Sequence, residues 1–124
     1  MAKYVDGYVL VIKKGKLSEY KKMALWGGKL WKKLGALEYF ECVGDDMHPT
    51  MGGVKPVPFP KMAKAKPGEK VVFSFIVYKN KAHRDSVNKK VMAEMSKNDG
   101  ITNMPMPFDM KKFSYGGFSV LVER

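Results

Sequence analysis

The chain has 124 residues, 45% of them apolar, which fits one domain with one core and excludes a disordered tail or a fibre. The formal charge of +11 raises the question of a polyanion partner, but all but two of the 23 basic residues are lysines, the exceptions being Arg84 and Arg124. Lysine supplies a point charge, whereas phosphates and guanine edges are gripped by the planar fork of arginine, so this composition argues against a nucleic-acid interface and for a solvated lysine surface.

Tyr4 to Lys13 is rich in Val, Tyr and Ile and reads as a strand. A helix follows, in which Tyr20, Met23, Ala24, Gly27, Leu30, Trp31 and Leu34 recur at helical spacing. Gly35 stands where a helix-ending glycine belongs, and Gly27-Gly28 predicts a close approach of this helix to a sheet. Trp26 falls just off the apolar stripe and is expected at a half-exposed flank or a subunit contact. Ala36 to Val43 reads as a second strand and Val71 to Tyr78, almost wholly apolar, as a third. Asn80 can cap a second long helix that turns Val87, Val91 and Met95 inward. Lys112 to Val122 reads as a last strand, with Gly116-Gly117 marking a bulge or a close contact. Two stretches lie between these elements. Gly44 to Glu69 carries five prolines, and Lys97 to Met110 contains Met104-Pro105-Met106-Pro107. Such long connections are often lids or binding arms, and methionine packs adaptably on varied apolar surfaces.

The order β-α-β-β-α-β is the ferredoxin-like arrangement of an α+β domain, here one domain over residues 1–124 with a Pro/Met-rich insert at 44–69. It puts both helices on one face of the sheet. The third strand is apolar on both faces and needs cover on both, and the simplest cover for the free face is the same sheet of a second copy. A homodimer is therefore expected.

Cys42 is the one cysteine, which excludes an internal disulfide and a cysteine-based zinc site within one chain. No apolar run approaches the roughly 20 residues of a membrane helix. Lys13 and Lys14 cut short the one stretch, Val9 to Ile12, that a leader peptide would use. A cytoplasmic protein without membrane contact is expected.

Y-V-D-G-Y-V at Tyr4 to Val9 resembles the opening of the YbaA-like bacterial domain of unknown function. The resemblance continues in A-L-E-Y-F-E-C (Ala36 to Cys42), F-S-F-I-V-Y-K-N-K-A-H-R-D-S-V-N (Phe73 to Asn88) and M-P-F-D-M-K-K-F-S-Y-G-G-F (Met106 to Phe118). It covers nearly the whole chain and departs at Met51 to Pro58. It implies the dimeric α/β-barrel superfamily and supplies no activity.

Asp6 shares strand parity with Tyr4, Tyr8 and Leu10; on the second strand Leu37, Tyr39, Glu41 and Val43 share a face, leaving Phe40 and Cys42 for the helix side. If Asp6 and Glu41 face the barrel interior, they make an acidic, tyrosine-lined pocket in which burial raises a carboxyl pKa toward the range of proton transfer. The plainer alternative is an Asp6 spent on structural hydrogen bonds or an ion pair. Arg84 lies on the helical phase of Val87, Asn88 and Val91; either it makes a salt bridge with a snorkelling stem or it binds an anion at the barrel mouth. Asp85 and Lys89 form an i, i+4 pair. His48 and His83 lie far apart in sequence and lack metal-ligand spacing with Asp45, Asp46 or Glu41, and H-E-x-x-H is absent, so no metal is expected. No G-x-G-x-x-G, P-loop or G-x-S-x-G occurs, so no cofactor is implied.

These readings define three functions. One is a small-molecule site in the barrel half of each subunit, roofed by the methionine-proline loops, with Asp6 and Glu41 as catalytic groups and Tyr8, Tyr39 and Arg84 holding the substrate. Superfamily analogy suggests a cofactor-independent oxygenase, isomerase or lyase there, a weak warrant because one fold hosts many activities. The second is a non-catalytic ligand-binding or stress-related protein using the same pocket. The third is a polyanion binder using the lysines of the first helix, which steep salt dependence would reveal.

Overall fold

Four extended segments pair into one sheet: β1 (Tyr4–Ile12), β2 (Glu38–Val43), β3 (Lys70–Tyr78) and β4 (Ser114–Ser119). The computed structural model describes residues 2–97 and 106–124. Every strand pair is antiparallel and the strand order is β2-β3-β1-β4, an open sheet with β2 and β4 at its edges. Helices α1 (Leu17–Lys33) and α3 (Lys81–Ser96) connect the strands, with a single helical turn, α2 (Phe59–Met62), in the proline-rich connection and a 3-10 turn at Met110–Lys112. The chain is thus mixed α+β.

The helix ends follow from local chemistry. After Leu34 the chain turns at Gly35, whose φ of 122° excludes most side chains. Ala36 N–H then donates to Trp31 O at 2.9 Å and Gly35 N–H to Lys32 O at 3.3 Å, satisfying carbonyls that the helix leaves open. At the start of α3, Asn80 Oδ1 accepts from His83 N–H at 2.8 Å, as its cap position predicts.

Both long helices cover the same sheet face. Leu10, Ile12 and Val72 pack with Tyr20 and Phe108 in one cluster; Ile76 and Tyr78 pack with Ala36, Val87 and Val91 in a second. Val87 and Val91 are essentially inaccessible, so each contributes on the order of 1.5–3 kcal/mol by burial. Met95 is partly buried against the same cluster, completing the inner stripe read from the sequence.

Register decides which residues share that face. Tyr39 pairs with Ile76 and Ile76 with Asp6; Glu41 pairs with Ser74 and Ser74 with Tyr8. Asp6, Tyr8, Tyr39 and Glu41 therefore share one face, as strand parity requires, but it is the helix-covered face. The assignment of Phe40 and Cys42 to the helix side is overturned: Phe40 pairs with Phe75 and Cys42 with Phe73 on the open face, where Phe40 is 48% and Phe73 45% exposed. The cause is the Gly27-Gly28 pair. A Cβ on Gly28 would sit 3.0 Å from Tyr39 Cδ1 and one on Gly27 3.3 Å from Tyr39 Oη, so the glycines leave just the room that this ring occupies under α1.

The open face is aromatic. Phe40 stacks on Phe75 with ring centres 5.1 Å apart, Phe75 lies 5.7 Å from Phe73, and Phe118 covers the Gly7 backbone. At one end of this face Val11 and Val71 are buried, where α2 comes against β3. Within the 44–69 connection, Gly44 N–H donates to Val71 O at 2.8 Å. Glu69 accepts from Lys66 N–H at 2.7 Å and from Lys112 Nζ at 3.1 Å. These bonds anchor the two ends of the insert, while Met51, Val54 and Val57 in its middle stay exposed.

β4 is shorter than the sequence suggests, and Gly116-Gly117 is not a bulge: Gly7 pairs with Gly116 and Asp6 with Gly117 in unbroken register. The close-contact alternative holds, because a Cβ on Gly117 would lie 2.5 Å from Arg84 Nη2 and from Tyr4 Oη. The expected Met104-Pro105 contacts fall outside the described residues.

Candidate functional site

Between the two core clusters, under α1, lies a chamber of about 350 Å³. Tyr8, Leu10, Tyr39, Glu41, Ser74 and Ile76 form its sheet wall. Tyr20, Met23, Ala24, Trp26, Gly27 and Trp31 come from α1, Met95 from α3, and Met106, Phe108 and Phe113 from the chain leading into β4. Methionine and aromatic side chains dominate this lining, as expected of a small-molecule pocket with few oriented polar groups. The roof is the 106–113 stretch, and the proline-rich 44–69 insert, expected to share it, contributes no lining residue.

Glu41 is the carboxylate of this chamber. One oxygen accepts from Tyr20 Oη at 2.6 Å and the other from Tyr39 Oη at 2.5 Å. Burial, reinforced by the hydrogen bond to Glu41, raises the pKa of both phenols far above the ordinary tyrosine value, so both remain donors. Each carboxylate oxygen keeps lone pairs for one further donor, so Glu41 can orient a ligand O–H or N–H or accept a proton from it. Tyr8 faces the same space, stacked on Tyr115 with ring centres 4.8 Å apart. Burial, then the charge of Asp6, raises its pKa as well.

Asp6 is elsewhere. It is fully buried one register row away and does not line this chamber. Arg84 Nε reaches its two oxygens at 3.0 and 3.2 Å, and Asn88 Nδ2 donates to Oδ2 at 3.3 Å. Asn88 Oδ1 in turn accepts from Trp31 Nε1 at 3.2 Å and Tyr78 Oη at 3.1 Å. This network ties β1, β3, α1 and α3 together behind the chamber wall. Of the two readings of Arg84, the structure has the salt bridge. The guanidinium lies 5.0 Å from the Tyr4 ring centre, and its Nη1 donates to Asp85 at 2.8 Å. Asp85 thus pairs with Arg84 instead of Lys89, because the fork is held within reach by Asp6. Burial works against the Arg84 charge, but the bonds to Asp85 and Asp6 outweigh it and raise its pKa.

The expected acidic pair is therefore separated. Glu41, Tyr8 and Tyr39 line one chamber; Asp6 and Arg84 form an ion pair outside it. Of the histidines, His83 Nδ1 accepts from Lys79 N–H at 3.0 Å, and His48 lies exposed in the 44–69 connection.

Residues 3–110 match the family described as "Protein of unknown function (DUF1428)". The chain belongs to this family. It is 36% identical over 121 residues to "Uncharacterized protein YbaA" of Escherichia coli (strain K12), with 98% of each chain covered. The proteins of that name in Escherichia coli O157:H7 and Shigella flexneri show the same identity and coverage. No activity accompanies these relatives, so function must be argued from the chamber. Among the described residues, no helix is long and apolar enough to cross a membrane.

Two residues of the site escaped the sequence reading. Tyr20 is one member of the apolar stripe of α1, yet a buried tyrosine hydroxyl needs a partner, and that is the available signal. Asn88 shares the helical phase of Arg84, and only the docking of α3 on the sheet makes it the companion of Arg84 on Asp6. Trp26 is half-buried, as a flank position predicts, and it also lines the chamber.

Proposed function

We propose that this protein binds a small, largely apolar molecule in the chamber beneath α1, oriented by Glu41. The observation that carries this reading is the Glu41 carboxylate, bracketed by Tyr20 and Tyr39 and facing a 350 Å³ space lined with methionine and aromatic side chains. The tyrosines hold the carboxylate in one orientation, and the largely apolar lining leaves it as the group that orients a ligand there. Proton transfer by Glu41 to or from a bound substrate is the chemistry this arrangement suits; Asp6 and Arg84 position the wall behind it through Asn88 and Trp31.

The fold that best accounts for the strand order and the two helices on one face is the ferredoxin-like one. The uncovered aromatic face supports a homodimer in which two such sheets close a barrel, leaving one chamber per protomer on the outer, helix-covered side.

Both tryptophans of the chain, Trp26 and Trp31, line the chamber and report on its contents. Decanol, a neutral apolar probe with one hydroxyl, should bind saturably and shift the tryptophan emission. Ala24→Phe, which fills the chamber from α1, should abolish that binding while the far-UV circular dichroism is retained. Decanol binding undiminished in a folded Ala24→Phe variant would overturn the proposal.

A further inference from the structure

On the outer flank of α1 runs a second space, a groove of about 760 Å³ against the edge strand β2. Its floor is apolar, with Leu17, Ala24, Leu25, Val43 and Val72, and its rim carries Lys21, Lys29 and Lys32. Tyr20, Ala24, Tyr39 and Glu41 line both this groove and the inner chamber, so the two spaces meet at the tyrosine-bracketed carboxylate. Lys21 and Lys29 have no carboxylate within salt-bridge distance among the described residues. Lys32 Nζ donates to Leu37 O at 2.6 Å, which fixes its ammonium at the groove rim with two donors to spare.

We infer that the ligand is an amphiphilic anion, with its apolar body in the inner chamber and its carboxylate-type head among Lys21, Lys29 and Lys32. This rests on the chamber reading above and names the ligand class that the chamber would take. The charge balance selects the sign of the head. Among the described residues, three ammonium groups border the groove against one carboxylate, and both oxygens of that carboxylate already accept tyrosine hydrogen bonds. An ammonium head would meet like charges at the rim, whereas a carboxylate head meets opposite ones. The lining supplies the other half of the chemistry. Met23, Met95 and Met106 adapt to a flexible apolar chain, and the ring faces of Trp31 and Phe113 offer it broad contact.

The test compares three probes with one tail and different heads: decanoate, decanol and decylamine. Binding is followed by the emission of Trp26 and Trp31 and by calorimetry, below micelle-forming concentrations. Decanoate should bind about tenfold more tightly than decanol at low salt, decylamine more weakly than either, and the preference for decanoate should shrink as salt rises. In Lys21→Gln/Lys29→Gln, which leaves Lys32 at the rim, the ratio of decanoate to decanol affinity should fall by about threefold or more. Equal binding of decanoate and decanol by the unaltered protein, or a preference for decylamine, would overturn this inference and leave the chamber reading standing. A preference for decanoate that survives the double lysine variant unchanged would overturn it too. If none of the three probes binds, the chamber reading itself fails, and this one with it.

Discussion

Replacing Arg84 by Met keeps the stem of the side chain and removes the one cation in contact with Asp6. The Asp6 side chain has no solvent exposure, and without Arg84 its oxygens keep, among the described residues, Asn88 Nδ2 at 3.3 Å and the nearby hydroxyls of Tyr78 and Tyr115, none of them charged. Breaking a buried ion pair by deleting one partner costs about 3–5 kcal/mol, because the remaining charge is stranded away from water. Arg84 itself retains 17% exposure, so water already shares part of its field and the lower end, about 3 kcal/mol, is expected. Asp6→Asn in the Arg84→Met background removes the stranded charge while leaving an amide that Asn88 can meet. That double variant should recover about 1–2 kcal/mol of the loss, the non-additivity expected of residues in one network. Urea unfolding at fixed protein concentration measures these differences, provided the denaturant slope is unchanged. A loss below about 1 kcal/mol for Arg84→Met, or no recovery in the double variant, would refute the view that the pair is a coupled structural element.

Sedimentation at micromolar concentration should give twice the 14.0 kDa chain mass. Phe73→Asp should halve it while preserving the circular dichroism spectrum, because Phe73 is 45% exposed in the protomer and an aspartate there would be buried only in the proposed dimer. A Phe73→Asp dimer of unchanged affinity would remove the open face as the interface. The third expectation concerns pH. The Lys66 amide, and then the Lys112 ammonium, hold the Glu69 carboxyl below the usual carboxylate range. Its folded pKa is depressed, so its contribution to stability is complete above the ordinary glutamate pKa and is lost as pH falls through the folded value. Glu69→Gln should therefore destabilise the protein at neutral pH and flatten its stability profile on the acid side; a profile parallel to that of the unaltered protein would exclude this anchor.

Much was written in the chain itself. Periodicity at 3.6 residues placed α1 and α3 and their inner stripes, Gly35 and Asn80 marked helix ends through φ and capping chemistry, and the two-sided apolar β3 predicted a second sheet face carrying apolar side chains, which in the protomer is open and aromatic. Period-two parity put Asp6 with Tyr8, and Tyr39 with Glu41. Parity sorts residues into two sets and carries no sign, however: nothing within β2 says which set lies under the helices. That was decided by register to β3 and by the space over Gly27-Gly28, both contacts between residues distant in sequence. The same holds for chemistry. Asp6 and Glu41 look alike as carboxylates on strands, yet one meets a guanidinium from α3, 78 residues away, and the other meets a hydroxyl from α1 and an open chamber. Which carboxylate is consumed and which is left facing a cavity depends on where α1 and α3 dock on the sheet, and docking is a property of the packed fold that no single segment contains.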